Sequence, residues 1–431
     1  MAEAEASPAR RALFVGHAVL AAFTAYFCMY AFRKPFAAGS YEGPGFLGGA
    51  LELKTALVVG QLVGYTASKY LGIKVVSEAG AARRGRLLVV LVALAELSLV
   101  LFAVLPRDAG VLALFLNGLP LGMIWGLVVS YLEGRRLSDV LLVGLSLSFI
   151  VASGVVKDVG RALMREGVPE PWMPAATGAL FFVPFVLAVR ALERLPAPSA
   201  EDEAARVRRA PMDGPARRAF LGRFLPGLLP LFGLYVLLTA YRDFRDNYGV
   251  ELFAELGYVG EPALFTQTEV PVALGVLLAL AALNAVQGRR AGLVAAYGVM
   301  FVGAGLVALA TGLRQAGAID GVVWMVLTGL GSYLVYVPFN AVLFERLIAY
   351  LGVTSTAVFA IYVADALGYT GSIALQLVKD LGAARTTRLA FFDGFSYLAA
   401  LVTALGLAAS LAFFLRRAEA PGRAAPEAPP R

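Results

Sequence analysis

The sequence predicts an all-α membrane protein whose twelve transmembrane helices form two pseudo-symmetric bundles of six. Three observations predict this fold: an apolar composition, about a dozen long apolar stretches, and a pattern of residues that recurs in the two halves of the chain. Of the 431 residues, 59% are hydrophobic and only 16% are charged. This balance is too apolar for an ordinary soluble domain.

The apolar stretches define the helices, because about 20 helical residues cross the hydrocarbon core of a bilayer. In chain order they cover residues 12–33, 55–74, 86–106, 109–132, 138–160, 172–193, 221–241, 262–286, 291–313, 319–344, 353–378 and 389–415. A hydrophilic break rich in proline and charged residues separates the sixth stretch from the seventh. We therefore expect a first half at 1–192, a cytoplasmic linker at 193–219, a second half at 220–418 and a disordered tail at 419–431.

The formal net charge of +7 could by itself indicate binding to nucleic acid. Most of the 37 basic residues, however, lie in alternate loops between the apolar stretches, and this bias is typical of loops that stay in the cytoplasm. The charge is therefore a topology signal, and we expect no nucleic-acid partner. We expect a multi-pass protein of a bacterial inner membrane, with both termini cytoplasmic, that contacts membrane lipids and functions as a monomer.

The two halves repeat a polar pattern on one face of a helix. An aromatic residue, a hydroxyl-bearing residue and an arginine stand at positions i, i+4 and i+7, which lie on the same helix face. These residues are Tyr26, Tyr30 and Arg33 in the first half, and Tyr235, Thr239 and Arg242 in the second. A Lys-Asp pair also recurs, at Lys157–Asp158 and Lys379–Asp380. Matches in the same order indicate a duplicated six-helix unit, with a binding site between the two copies.

The repeated arginines, Arg33 and Arg242, are candidate ligands for an anion. An arginine near hydrocarbon costs roughly 2.5–3.5 kcal/mol on insertion scales, so it usually faces an aqueous cavity or a counter-ion. The alternative is that both arginines are interfacial anchors near the ends of their helices. Arg245 also competes with Arg242 for the functional role.

Other polar residues extend the candidate site. Tyr65 and Lys69 share one face of the second segment, where Lys69 either snorkels to the headgroups or lines a cavity. Tyr336 and Asn340 share a face of the tenth segment, although aromatic residues at helical spacing also pack in cores.

The eleventh segment carries the clearest polar stripe of the chain. It consists of Tyr362, Asp365, Tyr369, Ser372 and Gln376, all on one helix face. One interpretation is a hydrogen-bonded seam between helices. The other is a site in which Asp365 pairs with an arginine or carries a proton.

Enzyme chemistry has little support in the sequence. The chain has one histidine and one cysteine, too few for a zinc site or for a thiol paired with a base. It contains no Walker-type glycine loop. We therefore expect no enzyme activity, no metal and no cofactor.

Three short stretches resemble a known family, the organophosphate:phosphate antiporters, which are major facilitator carriers. These stretches are Arg33–Phe36, Gly64–Gly72 and Tyr235–Arg242. The resemblance implies the major facilitator fold, with Arg33 and Arg242 gripping a substrate phosphate and Lys69 nearby. The chain departs from the glycerol-phosphate members in lacking their histidine in the fifth segment.

We expect a secondary active transporter that exchanges a small anionic, phosphorylated solute by alternating access. A proton-coupled symporter of the same fold and a membrane sensor built on this scaffold are the alternatives. The predicted substrate-binding residues are Arg33, Arg242, Lys69, Tyr30, Tyr65, Tyr235, Tyr336, Asn340, Tyr362 and Asp365.

Overall fold

A computed structural model describes residues 8–49, 51–78, 81–132, 138–196, 214–261, 263–351, 357–381 and 386–418. Within these ranges the chain forms helices and turns and contains no strand. The helices of the first half are α1 (Pro8–Tyr30), α2 (Leu53–Glu78), α3 (Ala81–Val104), α4 (Gly110–Leu121), α5 (Ile124–Val129), α6 (Ser138–Arg165) and α7 (Met173–Glu193). Those of the second half are α8 (Gly214–Asn247), α9 (Gly249–Glu255), α10 (Leu264–Ala285), α11 (Arg289–Gln315), α12 (Gly321–Pro338), α13 (Phe344–Leu351), α14 (Ala357–Leu381) and α15 (Arg388–Ala418).

These helices follow the twelve predicted segments closely. Two segments are interrupted: α4 and α5 together form the fourth, and α12 and α13 form the tenth, joined by the π-helical turn Phe339–Leu343. Pro338, the last residue of α12, has no backbone N–H and so removes one donor from the hydrogen-bond ladder just before this turn. Ten helices of the described residues are long and apolar enough to cross a membrane. The all-α membrane fold is confirmed.

Glycines let the membrane helices approach closely, as they do in other helical membrane proteins. A Cβ atom added at Gly64 of α2 would lie 2.1 Å from the carbonyl oxygen of Phe115 in α4. In the second half, a Cβ at Gly303 of α11 would lie 2.5 Å from the carbonyl oxygen of Gly331 in α12. Each half therefore contains a helix crossing that only glycine permits.

The two halves are joined by hydrogen bonds at one end of the bundle, where α1 ends and α2 begins; we call this the closed end. Every hydrogen bond and ion pair seen between the halves, within the ranges that the structure describes, lies there. They include Lys34–Asp246, Lys54–Glu251, Thr55–Tyr248, Lys157–Asp246, Asp158–Thr266 and Glu52–Arg388. Deeper in the bundle the halves meet through aromatic rings.

The predicted linker and tail lie mostly beyond the described residues. Residues 197–213 and 419–431 fall outside them. Helix α8 begins at Gly214, within the range predicted as linker.

Candidate functional site

Arg33 lies just beyond α1, in a turn held by two buried amides. The helix ends at Tyr30, and the Arg33 N–H donates to the carbonyl of Tyr30 (3.0 Å). The Gln61 amide donates to the carbonyl of Arg33 (2.9 Å), and the Asn117 amide donates to that of Phe32 (3.0 Å). These bonds satisfy carbonyls that a helix end leaves without partners. The prediction that one helix face continues through Arg33 is therefore wrong for the last turn.

The Arg33 guanidinium stacks on a tyrosine of the neighbouring helix. Its central carbon lies 3.9 Å from the ring centroid of Tyr65 and 5.9 Å from that of Tyr30. The residue is only 4% exposed, and its Nε has no hydrogen-bond partner. No carboxylate of the described residues lies within 4.0 Å of it. Arg33 is thus a buried positive charge stacked on aromatic rings, and it does not reach the headgroups as an anchor would.

Arg242 has a matching position in the second half. It lies within α8, and its guanidinium carbon is 4.0 Å from the ring centroid of Tyr336. One nitrogen pairs with the adjacent Asp243 at 3.1 Å, and Asp243 also accepts a hydrogen bond from Ser372 (2.9 Å). The side chain is 11% exposed. Each half therefore presents one arginine stacked on one tyrosine.

Arg245 is held in a structural ion pair. Its guanidinium pairs with Glu269 at 2.7 Å and donates to the carbonyl of Met325 (2.8 Å). A Cβ atom at Gly329 would lie 2.6 Å from this guanidinium. Arg245 therefore links α8, α10 and α12 within the second half. Of the two competing arginines, Arg242 is the one that stacks on a tyrosine as Arg33 does.

Tyr235, Asn340 and Asp365 form one hydrogen-bonded cluster. The Tyr235 hydroxyl donates to Asp365 at 2.6 Å, and the Asn340 amide donates to the Tyr235 hydroxyl at 3.1 Å. Asn340 is in the π-helical turn, a distortion often found at functional sites. The Tyr235 ring stacks on Tyr336 with a centroid distance of 5.5 Å. Four residues predicted from three segments are therefore in contact.

Tyr65 connects the two halves. Its ring lies 5.2 Å from that of Tyr369, centroid to centroid, and the Lys69 ammonium is 5.2 Å from the same Tyr65 centroid. The polar stripe of the eleventh segment thus has two roles: Ser372 belongs to a seam between helices, whereas Asp365 and Tyr369 face the arginine–tyrosine stacks. The side chain of Tyr362 lies outside the described residues.

The internal repeat is visible in the contacts. Tyr26 packs against Trp125 in the first half, with a centroid distance of 4.8 Å. Tyr235 packs against Tyr336 in the second half at 5.5 Å. Since these pairs join the first segment to the fourth and the seventh to the tenth, equivalent segments of each half meet through equivalent rings.

Sequence reasoning missed a charged cluster at the closed end. The Asp246 carboxylate pairs with Lys34 (2.5 Å) and Lys157 (2.8 Å), and it accepts a hydrogen bond from Ser153. Lys34 also donates to Asn247 (2.9 Å). Lys34 and Lys157 both belong to motifs seen in the sequence, but Asp246, the acidic residue that both of them bind, lies in the other half. Among the described residues, no group of three or more potential ligands is placed to hold a metal.

Residues 35–417 match a family described as "Family of unknown function (DUF5690)". The chain belongs to this family. No curated protein matches its sequence.

Solved structures similar to this DUF5690 chain are transporters. A D-xylose–proton symporter is 17% identical with a TM-score of 0.63, over 93% of this chain and 97% of the symporter. The xylose transporter XylE from E. coli is 14% identical with a TM-score of 0.59, over 96% and 100% of the two chains. A bacterial homologue of the human drug peptide transporters PepT1 and PepT2 is 12% identical with a TM-score of 0.61, over 94% and 98%. At these identities the similarity shows the fold alone, which is the major facilitator fold.

Proposed function

We propose that this protein is a secondary active transporter for a small anionic solute that bears a phosphate group. One observation carries the proposal: each half contributes a buried arginine stacked on a tyrosine, and Arg33 has no carboxylate partner among the described residues. An uncompensated charge at this depth costs free energy unless a ligand neutralises it. The solute would bind between Arg33 and Arg242.

Arginine is suited to this ligand. Its planar fork donates two parallel hydrogen bonds to one oxyanion, a geometry that lysine cannot reproduce. The tyrosine rings beneath the guanidinium groups limit the directions in which those groups can turn. A phosphate held by both arginines would bridge the two halves of the protein.

Charge compensation supports exchange as the mode of transport. Two facing guanidinium groups would repel by about 1–2 kcal/mol at a separation of about 10 Å and an effective dielectric near 20, and the Asp243 carboxylate beside Arg242 offsets part of this charge. A bound dianion cancels this repulsion, so the loaded carrier reorients more readily than the empty one. In this proposal the halves 1–192 and 220–418 move about the site, joined by the linker 193–219. With both termini cytoplasmic, the closed end is the outer side.

Proton symport is the second candidate, and Asp365 is the observation that favours it. Its carboxylate accepts from Tyr235 and has no basic partner within 4.0 Å among the residues described. An unpaired acid in a membrane helix is a common proton carrier.

The test is efflux of labelled phosphate from loaded proteoliposomes. Exchange predicts that efflux requires an external phosphate-bearing substrate and that Arg33→Lys loses most of it despite keeping the charge. Arg346→Lys, which alters an arginine bound to the carbonyls that end α10, is the matched control. Efflux that follows a pH gradient, ignores external substrate and is abolished by Asp365→Asn would support symport instead.

A further inference from the structure

The proposed site has two ends of opposite character. At one end are the arginine–tyrosine stacks of Arg33 and Arg242. At the other end is Asp365, a carboxylate bound to the Tyr235 hydroxyl at 2.6 Å. The Tyr336 ring contacts both ends, since it lies 4.0 Å from the Arg242 guanidinium and 5.5 Å from the Tyr235 ring.

Arg242 pairs with Asp243, but each end retains one charge without a partner of opposite sign. Arg33 has no acidic partner, and Asp365 has no basic partner, within 4.0 Å in the part of the chain that the structure describes. A plain dianion would satisfy the arginines but would be repelled by the nearby carboxylate. A hydrogen-bond donor or a cation at Asp365 would remove that repulsion.

Aromatic rings connect the carboxylate end to the arginine stacks. Tyr235 and Tyr336 stack on each other, and Tyr65 and Tyr369 pack across the two halves. Phe149 adds a ring 6.3 Å from Tyr336. The faces of such rings carry negative potential and attract ammonium groups.

Resting on the function proposed above, we propose that the substrate is dipolar, a phosphate monoester that also carries an amine. The phosphate binds between Arg33 and Arg242. The ammonium donates to the Asp365 carboxylate, next to the Tyr235 hydroxyl and among the aromatic rings. Tyr235 and Arg242 lie seven positions apart in α8, which is a rise of about 10 Å along the helix. The phosphate and the ammonium of the substrate are therefore joined by a short chain.

The test is a matched series of ligands on the purified, full-length protein. Binding is measured by thermal stabilisation and calorimetry for alkyl, hydroxyalkyl and aminoalkyl phosphates with chains of two to six carbons. At the best chain length, the aminoalkyl phosphate should bind roughly tenfold tighter than the hydroxyalkyl phosphate, because its hydrogen bond to the carboxylate joins two charges. Asp365→Asn should abolish this preference and strengthen binding of the alkyl phosphate, because the carboxylate that repels it is gone. Asp320→Asn, at the exposed start of α12, is the control for loss of an acidic residue, and it should leave the affinities for all of these phosphates unchanged.

Each failure has a separate meaning. If no phosphate in the series binds, the proposed function is wrong. If alkyl phosphates bind and the amine adds nothing, or if its advantage persists in Asp365→Asn, only the dipolar substrate is refuted. Should Asp365→Asn not fold, Asp365→Glu replaces it. Its longer side chain should shift the preferred ligand to a shorter chain, and an unchanged optimum overturns the proposal.

Discussion

Asp246 is the residue whose replacement most directly tests the closed end. Its carboxylate lies in the second half but binds two lysines of the first, Lys34 and Lys157, whose side chains are only 5% and 3% exposed. Asp246→Asn keeps the shape of the side chain and removes its charge. Two ammonium groups then remain buried without their shared counter-ion.

The magnitude follows from the burial of this pair. Removing one partner of a buried ion pair costs about 3–5 kcal/mol, because the remaining charge stays desolvated. The cost applies to the closed arrangement alone, since separation of the halves returns both lysines to water. Each 1.4 kcal/mol changes an equilibrium tenfold. Even about 3 kcal/mol therefore shifts the population by more than a hundredfold toward an arrangement in which the halves are separated at this end.

The assay is a distance measurement between spin labels at the closed end. The single cysteine, Cys28, is buried, so a Cys28→Ser background leaves no competing thiol. Labels at Glu42 and Val259, both exposed and one in each half, report the separation. We expect Asp246→Asn to add a longer distance to the distribution of the detergent-solubilised protein.

Asp393→Asn is the matched control. Asp393 pairs with Arg314 inside the second half, so its loss should reduce stability and leave the label distance unchanged. A folded Asp246→Asn variant with an unaltered distance distribution would show that the two lysines do not hold this end closed.

Substitutions at three positions test the structure around Arg33. Asn117→Leu leaves the buried Phe32 carbonyl without its donor and removes an acceptor from the Gln61 amide, so we expect about 1–3 kcal/mol less stability and weaker anion binding, measured by thermal unfolding and calorimetry. Gly118→Ala places a Cβ atom 2.4 Å from a carbonyl of α2 and should lower the melting temperature, whereas Gly222→Ala meets nothing within 4 Å and should not. Tyr65→Phe should keep phosphate-dependent stabilisation, and Tyr65→Leu should weaken it several-fold because the guanidinium loses its aromatic surface; equal affinities would contradict the stacking role.

The helices and the internal repeat could be predicted from the chain without its structure. A helix that crosses a bilayer must satisfy its own backbone and must be about 20 apolar residues long, so composition marks its position directly. The duplication was equally visible, because Tyr26 and Tyr235 head the same local pattern in each half. Both features depend on residues close together along the chain.

The partners of the charged residues required the folded structure. Glu269 lies 24 positions from Arg245 and neutralises its charge. This ion pair distinguishes the structural role of Arg245 from the proposed binding role of Arg242. Lys34 and Asn247 are 213 positions apart, yet both belong to the closed end. Local spacing places a residue on a helix face, but the packing of helices far apart in sequence determines which charges meet and which stay unpaired for a ligand.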